Sequence, residues 1–244
     1  MQVIPAIDLM EGRCVRLQKG DFSKQTVYAD DPLSVARRFE DAGLSRLHVV
    51  DLDGARGKPL SNLRVLETIA RHTSLVIDFG GGIKSRPDVV SVLGAGAAMI
   101  SLGSLFVTAP AEFAGWVAAF GADRFFPGAD VVGTRLRIRG WEEDGGIDIF
   151  QCIEQLGALH IDTVFCTDIS RDGMLEGPSL ALYGGILRRF PALKLVASGG
   201  VAAYDDLVAL RDAGCHGVII GKAIYEGRIT LQQLGDFIKQ EPCS

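Results

Sequence analysis

The sequence predicts an α/β fold, a TIM (β/α)8 barrel built from two similar half-barrels. Three observations carry that prediction. Short apolar runs alternate eight times with helix-length segments. The length of 244 residues suits eight such units. Glycine-centred motifs recur at one spacing in the two halves.

The strand candidates, in order, are residues 3–8, 47–51, 75–79, 98–102, 124–130, 163–168, 195–198 and 217–220. Most are continuously apolar rather than alternating, as strands covered on both faces are. Between them lie helical patterns. Residues 32–42 carry Leu33, Val35, Ala36 and Phe39, and Gly43 closes the segment. Residues 87–94, 111–120, 149–156 and 179–189 read the same way. Residues 205–213 carry Leu207, Val208 and Leu210 and stop at Gly214. The fifth strand, RFFPGAD, contains Pro127, which is awkward in a central strand because it cannot donate to the ladder. That makes the placement of Asp130 less secure than that of Asp8.

The repeat separates the closed barrel from an open sheet. Gly81-Gly82-Ile83 matches Gly199-Gly200-Val201 at an offset of 118 residues. Ala95-Gly96 matches Ala213-Gly214, and Gly103 matches Gly221, at the same offset. Asp51 and Asp168 differ by 117, and Asp8 and Asp130 by 122. The chain reads as one domain, 1–244, with half-units of roughly 1–122 and 123–244 and no linker.

Composition narrows the function. A net charge of −5 without a basic block argues against nucleic acid as a partner. The five cysteines form no C-x-x-C pair, which argues against a disulfide framework or zinc site and for a reducing cytoplasm. The start, MQVIPAIDLMEGR, has no basic, long apolar leader, and no stretch reaches the roughly 18 apolar residues of a membrane helix. No H-x-x-H, H-E-x-x-H or Ser-His-Asp pattern is present, so no metal is expected.

In a barrel, loops after the strands form the active face. Both Gly-Gly pairs and both later glycines fall on such loops just before a helix, where free N–H groups favour phosphate. Gly81, Gly82, Gly103 and Ser104 would form one phosphate site, and Gly199, Gly200, Gly221 and Lys222 the other. A ligand spanning them would carry two phosphates. Gly80, opposite Ser198 in the repeat, reads as the turn alone. On this reading Gly82→Val weakens binding more than stability. Asp8 and Asp130 end corresponding strands and suit general acid–base work. Asp51, Asp53 and Asp168 more simply cap helices or brace loops. His48 either enters the mouth or lies buried and hydrogen-bonded. Trp141 either covers a planar ligand or packs its own loop. Arg16 either meets the ligand or forms a surface salt bridge.

The segments IPAIDLMEGRCVRLQKGDF, HVVDLDGARGKPLSN, FGGGIKS, TDISRDGMLEGP, ASGGV and GVIIGKAIYEGRI together resemble the ProFAR isomerases of histidine biosynthesis, from residue 1 to about 230. Those enzymes isomerise phosphoribosylformimino-aminoimidazole-carboxamide ribonucleotide. The sister cyclase subunit shares the barrel, but its C-L-D and V-V-K-G segments are missing here. The resemblance implies a bis-phosphorylated small-molecule substrate and an Amadori rearrangement of an aminoaldose to an aminoketose. It implies no cofactor or metal, because the imine is itself the electron sink. Asp8 matches the general base. Asp130 and Asp172 both match positions proposed for the acid. Thr167 and His48 match supporting residues in the mouth, and Arg16 and Trp141 match substrate contacts.

Ser101–Ser104 reads SLGS where G-T is usual in the family, and the Asp130 segment is less typical. IRGW is also found in dual-substrate relatives that isomerise phosphoribosylanthranilate, so dual activity is one alternative. A non-catalytic barrel that binds phosphate esters is another, opposed by the intact Asp8 and Asp130. A monomer is expected, because no exposed apolar stripe stands out. Residues 19–25 and 139–146 are the lid candidates.

Overall fold

Eight strands close into one parallel ring. The computed structural model describes residues 1–18 and 21–240, with the side chains of 16–18 and 21–24 outside the description. Strands and helices are numbered in chain order. The ring consists of β1 (Gln2–Met10), β4 (Arg46–Asp51), β5 (Val76–Gly80), β6 (Met99–Leu102), β7 (Phe125–Val132), β10 (Thr163–Asp168), β11 (Lys194–Ser198) and β12 (Gly217–Ile220). Each pairs in parallel with the next, and β12 pairs with β1 to close the barrel.

Two antiparallel hairpins interrupt the expected alternation. β2 (Arg13–Gln18) and β3 (Asp21–Ala29) follow β1, and β8 (Arg135–Ile138) and β9 (Glu143–Asp148) follow β7. They carry the two lid candidates, 19–25 and 139–146, which the sequence does not mark as strands. β8 alternates, with Leu136 and Ile138 buried on one face, but it is only four residues long, and β9 buries no residue fully.

The outer helices start where local chemistry starts them. In α1 (Pro32–Asp41), Asp31 accepts from the Leu33 N–H and Pro32 sits in the first turn. Val35, Ala36 and Phe39 of that helix are buried. In α4 (Arg86–Gly94), the Asp88 carboxylate accepts from the N–H groups of Lys84 and Ser85 at 3.0 and 2.9 Å. In α9 (Tyr204–Asp212), Asp206 accepts from Ala202 and Ala203 at 2.8 and 3.0 Å. The same device thus recurs at the sequence offset of 118. Single-turn helices α5 (Leu105–Thr108) and α10 (Lys222–Tyr225) directly follow Gly103-Ser104 and Gly221, and the helix expected over 111–120 spans Pro110–Phe120. Among the described residues no helix is long and apolar enough to cross a membrane.

Pro127 lies inside β7 after all. It faces Leu102, the last partner on β6, and the β10 ladder begins one residue later at Gly128. The residue without an N–H therefore sits where pairing passes from one neighbour to the other, and the strand continues to Asp130, opposite Thr167.

Inside the ring, Ile4, Ala6, Phe126, Phe165, Val196 and Ile219 form a plug. The Phe126 and Phe165 rings lie 4.9 Å apart. Gly128 makes room for this, because a Cβ there would overlap the Phe165 ring. Gly128→Ala is expected to cost about 1–3 kcal/mol through overpacking, measured as a drop in urea-unfolding free energy; an unchanged value would show that the plug yields freely.

Candidate active site

A cavity of about 330 Å³ opens at the C-terminal ends of the barrel strands. Asp8, His48, Asp130 and Thr167 reach it from β1, β4, β7 and β10, and Asp172 from the loop after β10. Trp141 reaches it from the β8–β9 connection. β1 and β7 are four strands apart in a ring of eight, so Asp8 and Asp130 stand on opposite walls. The β5/β6 loops likewise face the β11/β12 loops, on a line that crosses between the two aspartates.

Asp130 is half-buried and strongly perturbed. Burial pushes its carboxyl up to about 6, and Asp172 adds to the rise. Hydrogen bonds from Trp141 and Thr167, and the charge of His48, pull in the other direction. The Trp141 indole Nε1–H donates to Asp130 Oδ2 at 2.8 Å. Trp141 holds this pose with φ +75, in a turn where Arg137 donates to its carbonyl at 3.0 Å. The tryptophan therefore packs its own loop and lines the cavity at once. Its part of the 139–146 lid candidate is a tied hairpin end.

His48 is both buried and in the mouth. Its Nδ1 lies 2.5 Å from Asp78 Oδ2, and the Arg46 guanidinium donates to Asp78 Oδ1 at 3.4 Å. Burial alone would lower the imidazole's pKa, but Asp78 outweighs it and Asp8 adds to the effect, so the pKa is raised.

Asp51, Asp53 and Asp168 brace loops. Asp51 Oδ1 accepts from the Gly54 N–H at 3.0 Å and from Asn62 Nδ2 at 2.6 Å. Asp53 accepts from the Glu11 N–H and from Lys58 Nζ, both at 2.7 Å. Asp168 accepts from the Ser170 N–H at 2.9 Å and from the Ser179 hydroxyl.

The rim combines most of the expected phosphate residues. Gly81, Gly103, Gly199, Gly200, Gly221 and Lys222 line the cavity, whereas Gly82 and Ser104 are set behind it. Lys222 Nζ donates across to the carbonyl of Gly173 at 2.9 Å, beside Asp172. Arg16 belongs to β2 by its backbone, and its side chain lies outside the described residues. Of the 19–25 lid candidate, residues 19 and 20 lie outside the described residues, 21–25 belong to the backbone of β3, and the side chains of 21–24 are outside the description.

The glycines carry a second constraint that their spacing did not reveal. Gly81, Gly82, Gly199 and Gly200 have φ of +95, +79, +87 and +85. A Cβ on Gly82 would lie 2.5 Å from backbone atoms of Gly54, and one on Gly200 would overlap the Gly177 carbonyl. Gly82→Val therefore also carries a stability cost, because backbone would have to move, and its effect cannot be read as one on binding alone. Gly80 is more than a turn. It ends β5 at the cavity, and a Cβ there would overlap Ser101 Oγ.

Sequence reasoning missed Asp78, Arg46 and Ser101. Asp78 and Ser101 are polar residues inside apolar strands, which was the available signal, whereas Arg46 opens β4 just before the expected strand and carries no such mark. The Ser101 hydroxyl is buried at the cavity wall and has no hydrogen-bond partner among the described residues. Cys14, Cys152, Cys166 and Cys215 are buried free thiols, and Cys243 lies outside the described residues. Among the described residues, no group of three or more His, Cys, Asp or Glu is arranged to hold a metal.

A family model described as histidine biosynthesis protein matches residues 2–230. A protein of Bacteroides thetaiotaomicron is 47% identical over 98% of this chain and 100% of its own length. One of Flavobacterium johnsoniae is 46% identical over 98% and 99%. One of Cytophaga hutchinsonii is 45% identical over 97% and 99%. All three are named 1-(5-phosphoribosyl)-5-((5-phosphoribosylamino)methylideneamino)imidazole-4-carboxamide isomerase.

The Asp130 shift has a stability consequence with a definite sign. Its carboxyl binds its proton more tightly folded than unfolded, so folding stability falls as pH rises through the interval from about 4 to about 6. Asp130→Asn is therefore expected to raise the melting temperature at pH 8 and to lose that advantage below pH 4. Equal shifts at both pH values would show that Asp130 carries no such penalty.

Proposed function

The chain belongs to the histidine biosynthesis protein family, and from that premise we infer that its cavity isomerises ProFAR, converting the aminoaldose to the aminoketose by an Amadori rearrangement. The observation that carries the mechanism is the crossed layout of the mouth. Two glycine rims face each other, and two aspartates face each other across the line between them.

In this reading the rims hold the two phosphates of the substrate through backbone N–H groups, with Lys222 supplying a cation at the β12 rim. The sugar then lies between Asp8 and Asp130. An acid protonates the ribose ring oxygen, and the ring opens to a protonated Schiff base. A base removes the proton from the second carbon, and that C–H pair moves into the C–N framework to give an enolamine. Reprotonation and tautomerisation yield the ketose. The protonated imine takes up the electrons.

Asp8 is the base in this assignment. Asp130 suits the acid, because burial holds its pKa at about 6, nearer neutrality than a free carboxyl. Asp172 is the alternative acid, lining the same cavity and interacting electrostatically with Asp130. Trp141 is placed to cover the ligand once it releases or shares its bond to Asp130.

Asp8→Asn is expected to lower turnover at least about a hundredfold, the scale for losing a general base, while binding of the bis-phosphate persists in calorimetry. Turnover like that of the wild type would remove Asp8 from the mechanism. The assay should run on ProFAR and phosphoribosylanthranilate side by side, since turnover of both would replace single by dual specificity. A pH profile separates the two acids. If Asp130 gives the proton, kcat/KM falls as pH rises through about 6; a profile without that limb points to Asp172.

A further inference from the structure

The barrel interior holds a polar chain that the proposed chemistry does not itself require. Arg46, His48 and Asp78 are all buried, on the adjacent strands β4 and β5. Elsewhere that interior is filled by apolar side chains such as Ile4, Phe126 and Ile219. A buried ion-pair chain is on average no more stabilising than apolar packing of the same volume. Its place under the mouth therefore calls for a use other than stability.

We propose that Asp78 and Arg46 are positioning residues for the reaction, fixing the tautomer, orientation and charge of His48 beneath Asp8 and Asp130. The proposal rests on the isomerase reading of the mouth. Asp78 Oδ2 takes His48 Nδ1 at 2.5 Å, which leaves Nε2 as the ring nitrogen for the cavity. Arg46 donates to the other Asp78 oxygen at 3.4 Å and to Gln2 Oε1 at 3.1 Å, and its guanidinium lies 5.0 Å from the Phe126 ring centre. Asp78 is thereby held between the His48 ring and the Arg46 guanidinium. The groups facing His48 are Asp78 from β5, Arg46 from its own strand, Asp8 from β1 and Asp130 from β7. The Phe165 ring meets it edge-on at 5.3 Å.

The consequence follows from Coulomb attraction in a poorly solvated site. A fixed imidazolium between the walls favours an ionised Asp8, as a base needs. It also restrains the rise that burial imposes on Asp130, so the acid can still release its proton. A neutral histidine would do neither. The chain of three thus sets the protonation states of groups it never replaces in the chemistry.

The test combines nitrogen-15 NMR of the histidines with kinetics. In the wild type, His48 is expected to be cationic at pH 7, identified by the signal that vanishes in His48→Gln. In Asp78→Asn its titration should move down by more than about one pH unit. kcat at pH 8 should fall at least about tenfold, the scale for losing the partner that orients a functional histidine, with KM little changed. In the His48→Gln background, Asp78→Asn should cost no further kcat, because its effect passes through the ring. A neutral wild-type His48 at pH 7 overturns the proposal, even if Asp78→Asn fails to fold. So does an unmoved His48 titration, a lowered melting temperature with unchanged kcat, or additive losses in the double variant. An inactive wild type on ProFAR would sink the isomerase reading instead, while the NMR result would stand.

Discussion

The rest of the structure depends on closure of the parallel ring. Once β12 pairs with β1 and β7 with β10, the eight ring strands have no free edge among themselves, and their alternate side chains must point inward. That interior has to be filled. Phe126 and Phe165 fill it because Gly128 lets one ring lie where another residue would put a Cβ. Below the mouth an inward carboxylate has to be paired, as Asp78 is with His48 and Arg46. Asp8 and Asp130 sit higher, where their strands open into the cavity, with Thr167 beside them. The site is thus a product of the packing beneath it: raise the floor by one methyl group and the aspartates lose their platform.

A quasi-symmetric scaffold also yields an asymmetric pair. β1 and β7 are each followed by an antiparallel hairpin, and each carries an aspartate near its end. The hairpins differ in what they return. The second sends the Trp141 indole back onto Asp130, beside the Thr167 hydroxyl, within a pocket that still desolvates the carboxyl. Two carboxylates in equivalent positions can in this way hold different protonation states, which is what one acid and one base require. The polar chain under β4 and β5 has no matching counterpart among the apolar Phe165 and Val196 of β10 and β11. It breaks the symmetry from below as the tryptophan does from above.

The sequence made the ring legible because buried parallel strands are continuous apolar runs, and because the Gly-Gly motifs repeat. It made Asp8 and Asp130 legible because each ends such a run. What stayed hidden has a common cause. Asp78 lies inside the run LVIDF, and periodicity treats one polar residue there as noise. Only His48, opposite it in the ladder, and Arg46, two residues earlier on the same strand, give it meaning, and strand pairing is not a local property. The hairpins after β1 and β7 escaped for a related reason. β9 reads EDGGID and buries no residue fully, so nothing apolar marks its alternation. Lys222 shows the converse case, in which the position was legible but its bond to the Gly173 carbonyl was not.

The glycine loops show why a motif can be read correctly and still be assigned too narrow a cause. Positive φ at Gly81 and Gly82 lets the β5 loop fold over the single-turn helix after β4, whose residues span Leu52–Ala55. A Cβ on Gly81 would overlap the Asp51 carbonyl, and the reverse also holds, since a Cβ on Gly54 would lie 2.6 Å from the Gly81 carbonyl oxygen. The loops are therefore interlocked backbone to backbone. The same absence of side chains leaves Gly81 open to the cavity on its other flank. If the rim holds phosphate as proposed, packing and ligand access demand one residue type at one position, so replacing the glycine perturbs both together and cannot divide its role between them. The separation has to be made on the ligand, by removing one phosphate while the protein stays intact. The loss of affinity that results belongs to the rim alone, because the interlock of the loops is untouched.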